Sequence, residues 1–88
     1  MRRNAEFFGD SELDLVYVAR RLRDALKLED LLTQNEIDYA VETGTYTGGF
    51  LMRRDLTGAF FYVLPADLEK TREVLERNRY KPYVEADR

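Results

Sequence analysis

The sequence predicts an α+β fold in which two helices cover one face of an antiparallel sheet. Three observations predict it. Two short stretches, residues 13–18 (LDLVYV) and 59–64 (AFFYVL), are apolar at nearly every position, the pattern of strands covered on both faces. Each is followed by a longer segment with the helical period. Between them a third stretch, 37–42 (IDYAVE), alternates apolar and polar residues, as an edge strand with one wet face does. With 88 residues there is room for one domain.

Residues 1–12 are polar apart from Phe7-Phe8 and carry no sustained period, so they read as a flexible N-terminal arm. The domain proper spans 13–84, and 85–88 form a tail. The first strand, 13–18, leads into a helix over 19–35, where Leu22, Ala25, Leu26, Leu28, Leu31 and Leu32 recur near the helical period without an intervening Gly or Pro. The alternating Ile37, Tyr39 and Val41 form the second strand. Residues 44–49 (GTYTGG) are the glycine-rich stretch of the chain and predict a flexible connection. Residues 50–54 (FLMRR) extend a hairpin arm, and Asp55-Leu56-Thr57-Gly58 has the signature of a turn.

The third strand is 59–64. Pro65 and Asp67 open the second helix, with Asp67 suited to cap it, and Leu68, Thr71, Val74 and Leu75 form its inner stripe. Pro82 ends it, and 80–84 predict a short fourth strand confined to an edge. The resulting βαββα order, closing with β, is the ferredoxin-like arrangement with strand order 4-1-3-2. Strand 59–64 presents Ala59, Phe61 and Val63 on one side and Phe60, Tyr62 and Leu64 on the other. Helices on one face leave the other set in need of cover. The expectation is a homo-oligomer whose interface includes Tyr17, Phe60, Phe61 and Tyr62, or a Phe7-Phe8 arm folded back.

Three stretches carry a resemblance to a known family. They are Val16-Tyr17-Val18-Ala19 leading into the Leu/Ala-rich helix, Leu31-Leu32-Thr33-Gln34-Asn35-Glu36-Ile37, and Phe61-Tyr62-Val63-Leu64-Pro65-Ala66-Asp67 running into Val74-Leu75. Over roughly residues 13–78 the chain resembles short bacterial signal-transducing domains with a PII-like, ferredoxin-like fold. The resemblance implies no defined reaction. It implies a regulatory or protein-interaction role, with partner contacts made by the loop between the second and third strands.

The chain has no histidine and no cysteine, so Ser-His, Cys-His and thiolate-metal chemistry are excluded. No metal and no cofactor is expected, and the scattered carboxylates read as solvated surface. The anticipated binding residues are Gly44, Tyr46, Gly48, Gly49, Arg53 and Arg54, because N–H groups of a glycine loop can cradle an anion while arginines add charge. Arg20, Arg21 and Arg23 oppose the dipole at the start of the first helix and read as a solvated face. A net charge of −3 disfavours nucleic acid as a partner. The first residues lack the apolar core of a secretory signal, and no apolar stretch reaches membrane-spanning length. Together with the absence of cysteine, this predicts a cytoplasmic domain. A protein partner is expected, with a ligand site at a dimer interface as the alternative.

Overall fold

The apolar run around residue 60 becomes the centre of the sheet. The structure, a computed structural model, describes residues 1–48 and 54–83. In chain order the elements are α1 (Ala5–Phe8), β1 (Asp14–Ala19), α2 (Leu22–Gln34), β2 (Tyr39–Gly48), β3 (Arg54–Val63), a 3₁₀ turn (Pro65–Asp67) and α3 (Leu68–Arg77). The strands form an antiparallel sheet in the order β1-β3-β2, so β3 is central and β2 lies at an edge. The expected 4-1-3-2 order is met for its last three strands. Residues 80–83 have no regular structure, although the Tyr83 N–H donates to the Val16 carbonyl at 2.6 Å. Residue 84 and the 85–88 tail lie outside the described residues.

Register divides the sheet into two faces. Tyr39 and Val41 of β2, Ala59, Phe61 and Val63 of β3, and Tyr17 and Ala19 of β1 share one side. These residues, with Val16 and Ile37, join Ala25, Leu28 and Leu32 of α2 and Val74 and Leu75 of α3 in one core. The opposite face holds Ala40, Glu42, Phe60, Tyr62, Leu15 and Val18. Strict alternation back from Ala19 would turn Val16 to the open side. The register shift between Leu15 and Tyr17 instead inserts one extra residue, which carries Val16 into the core and Leu15 out of it.

Three local expectations yield to pairing across the sheet. Residues 44–48 are not a loop; they extend β2, and 55–58 are not a turn but continue β3 opposite them. Gly44 lies directly across from Gly58, and the Phe60 ring packs over Gly44, 3.6 Å from where a β-carbon would stand. An aromatic ring laid over a strand glycine supplies the packing that the glycine lacks. The first helix begins at Leu22 rather than residue 19, because Ala19 pairs with Ala59 and Arg21 is still extended. Asp67 does stand at the start of α3, yet its side chain makes no capping bond; its carbonyl accepts from Thr71 Oγ1 at 2.7 Å.

Both long helices end in the same way. At the end of α2 the Ile37 N–H donates to Leu32 and the Glu36 N–H to Thr33; at the end of α3 the Tyr80 N–H donates to Leu75 and the Arg79 N–H to Glu76. This is the Schellman pattern. An Asn side chain braces each end, Asn35 Nδ2 donating to the Leu31 carbonyl at 2.9 Å and Asn78 Nδ2 to the Val74 carbonyl at 2.8 Å. The left-handed position is filled by Glu36 (φ 57°) and Arg79 (φ 68°), where a residue with a β-carbon is strained. Glu36→Gly and Arg79→Gly should therefore each stabilise the fold by about 0.5–1 kcal/mol, read as a higher urea midpoint at unchanged slope.

The N-terminal arm is tied down rather than loose. Arg2 forms a parallel bridge with Tyr39: the Arg3 N–H donates to the Tyr39 carbonyl at 2.8 Å, and the Tyr39 N–H donates to the Met1 carbonyl at 3.0 Å. Arg3 Nε pairs with Asp38 Oδ1 at 2.9 Å, and the same guanidinium sits 4.4 Å from the Phe7 ring centroid. Asn4 caps α1 by accepting the Phe7 N–H, and Phe8 is buried outside the helix-side core.

Candidate functional site

The docked arm and the open face of the sheet enclose a groove. Its volume is about 580 Å³, and its walls are Arg2, Arg3 and Asn4 of the arm, Leu13 before β1, Ala40 and Glu42 of β2, and Tyr62 of β3. That volume falls within the usual range of small-molecule sites. Each wall follows from a local cause. The bridge to Tyr39 and the Arg3–Asp38 pair fix the arm along the outer edge of β2. The pleat then turns Ala40, Glu42 and Tyr62 to the side away from the helices.

The groove offers a guanidinium, a carboxylate, an amide and a phenol around a small apolar floor. Burial pushes the Tyr62 phenol above its ordinary range, and the Glu42 carboxylate pushes it further the same way. At neutral pH this phenol is a hydrogen-bond donor rather than a base. Arg3 is already committed to Asp38, and Arg2 lies 3.9 Å from Glu29 Oε2. The arrangement suits binding of a polar molecule or a peptide by complementary charge. Among the described residues no three carboxylates are grouped to hold a metal ion.

The anticipated binding residues that the structure describes lie on one hairpin. Gly44, Tyr46 and Gly48 are strand residues of β2, and Arg54 opens β3 opposite Gly48. Gly49 and Arg53 lie outside the described residues. Of the four residues anticipated at an interface, Phe60 and Tyr62 lie on the open face. Phe61 is fully buried among the helices, and Tyr17 packs edge-to-face on Tyr80 at 5.6 Å on the helix side. The groove residues Arg2, Arg3, Asn4 and Glu42 carry no motif. The one sequence signal for them is the Phe7-Phe8 pair, an apolar reason for the arm to fold back.

Among the described residues no helix is long and apolar enough to cross a membrane. Compared with known proteins, the chain matches no family model, no curated protein and no solved structure.

Proposed function

We propose that this chain is a non-enzymatic regulatory or protein-interaction domain of the cytoplasm that self-associates through the open face of its sheet. The observation that carries this reading is the two-sided β3. Phe61 and Val63 are sealed by the helices, while Phe60 and Tyr62, with Leu15, Val18 and Ala40 beside them, line a face to which neither long helix contributes. Contiguous apolar area of that kind marks association surfaces. The arm takes up the Tyr62 and Ala40 end, and the proposed contact with a second copy lies at the Val18 end of the face. A ferredoxin-like fold is part of the proposal. The 1-3-2 order supports it, as does the Tyr83–Val16 backbone bond on the outer edge of β1, where a fourth strand of that fold would run. Kinship with PII-like signal-transducing domains is likewise part of the proposal, and it rests on the residue patterns of 13–78 alone.

Light scattering over a tenfold concentration range tests the reading. The wild type should have the mass of a dimer or larger, and Val18→Glu should reduce it to a monomer with an unchanged circular dichroism spectrum. A wild type that is monomeric throughout rejects self-association.

The groove favours a second reading, a small-molecule sensor. Amino acids and nucleotides screened by thermal shift separate it from the first, since a ligand at 100 times its Kd adds about 2.7 kcal/mol of stability.

A further inference from the structure

The chain just ahead of α2 carries positive charge that nothing balances. Arg20 and Arg21 precede Leu22, at the pole of the helix where the backbone dipole is itself positive, so they cost stability rather than add it. Asp24 is the acidic residue of the first turn, yet among the described residues neither guanidinium forms an ion pair with it or with any other carboxylate.

A third cation joins them from the far end of the chain. The bond from the Tyr83 N–H to the Val16 carbonyl ties residues 81–83 to β1, and Lys81 thereby comes to the same place, likewise without an ion pair. Arg20, Arg21 and Lys81 line one cleft of about 350 Å³ with Asp24, Tyr17 and Tyr83. That volume lies at the lower end of the range for small-molecule sites. Three cations against one carboxylate leave two positive charges in surplus, in a chain whose net charge is −3. By sequence the arginines read as a solvated face; the fold adds the third cation and an aromatic wall.

The tyrosines supply that wall. Tyr17 packs edge-to-face on Tyr80, and burial first, then the Asp24 carboxylate, pushes its phenol above the ordinary range. At neutral pH it is a hydrogen-bond donor. Tyr83 keeps 42% of its surface exposed, an aromatic ring beside the cations.

We propose that this cleft binds a small organic phosphate, with Arg20, Arg21 and Lys81 around the phosphate and the Tyr83 ring against the organic part. A phosphomonoester carries about −1.5 to −2 at pH 7, which matches the surplus of the cleft as a single carboxylate does not. The planar guanidinium forks suit its oxygens. Three cations on an acidic chain are too few for a nucleic-acid backbone. This cleft lies beside β1 and the arm groove beside β2, at opposite edges of the sheet, so the inference depends on neither functional reading given above.

Amide NMR shifts on titration with phenyl phosphate at constant ionic strength test the proposal. Saturable shifts centred on Val18, Arg21 and Lys81 are expected, with a Kd of about 1 mM or tighter. The Arg21→Glu, Lys81→Glu double variant should bind about tenfold more weakly or worse, because hydrogen bonds between charged groups are lost. Its urea midpoint should stay at or above that of the wild type, since both residues are exposed and a glutamate suits the start of a helix. Lys27→Glu, Lys70→Glu makes the same change in net charge at exposed positions outside the cleft and should move the Kd by no more than about twofold. Equal losses in the two double variants, or no saturable shift up to about 10 mM phenyl phosphate, overturn the proposal. Benzoate has the same ring and a single charge, and should bind about fivefold more weakly or worse. Equal binding of benzoate overturns the assignment to phosphate.

Discussion

Phe61→Ala should cost the fold about 3–5 kcal/mol, a large share of its stability, whereas Phe60→Ala, one residue away, should cost only about 1–2 kcal/mol. Phe61 has no exposed surface and is enclosed by residues of both helices, with the Tyr39 ring 5.8 Å away. Truncating a core Phe costs about 3–5 kcal/mol, from the lost transfer of the ring and the cavity it leaves. A chain of this length has only about 4–13 kcal/mol in total. Phe60 lies on the opposite face, half-buried, so the same truncation should cost about 1–2 kcal/mol. Urea unfolding of the two variants reads the difference directly. Equal losses would mean that the register of β3, and with it the division of the sheet into a core face and an open face, is wrong.

Stability should also collapse at alkaline pH, through Tyr39. Its phenol is pushed up to about 12, chiefly by burial and further by the Glu29 carboxylate, to whose Oε1 it donates at 3.3 Å. The side chain is 1% exposed. A phenol is neutral when protonated, so the raised value means that the folded state holds this proton more tightly than the unfolded chain, where the value is about 10. The contribution is complete below pH 10 and is lost as pH rises from 10 towards 12. It amounts to roughly 2–3 kcal/mol. Tyr17 and Tyr62 are displaced in the same direction, again first by burial, and steepen the fall. Tyr39→Phe keeps the ring and gives up the two long hydroxyl contacts to Glu29, 3.3 Å to Oε1 and 3.5 Å to the carbonyl. Denaturant midpoints measured from pH 9 to 12 should fall less steeply in this variant than in the wild type; parallel curves would show that another group carries the transition.

The exposed ion pairs have little part in either result. Arg72–Glu69 at 3.4 Å and Arg77–Glu73 at 3.8 Å each have a partner far into solvent, where such pairs contribute at most a few tenths of a kcal/mol.

The periodic elements were legible in the residues because their causes are local. Ala25, Leu28 and Leu32 recur on one side of a helix whatever surrounds them, and the alternation of Phe60 with Phe61 and of Tyr62 with Val63 follows from the pleat alone. From these came the α+β class, the central place of β3, the edge position of β2 and the open face. What depended on pairing between distant residues was not legible. Gly44-Thr45 and Asp55-Leu56-Thr57-Gly58 have the composition of a loop and a turn, and they are strands because each supplies the other's backbone partners. Val16 faces the core because of an extra residue in β1 that shows only against β3. The groove exists because Arg3 meets Asp38, 35 residues away, and because Tyr39 accepts a backbone bond from the arm. By itself the sequence determined which residues need burial and with what period, since side-chain chemistry and backbone geometry are properties of each segment. Only the tertiary structure decided where the ladder stops, which face the arm covers and which leucines of α2 remain in water, because those outcomes are set by contacts that no single segment contains.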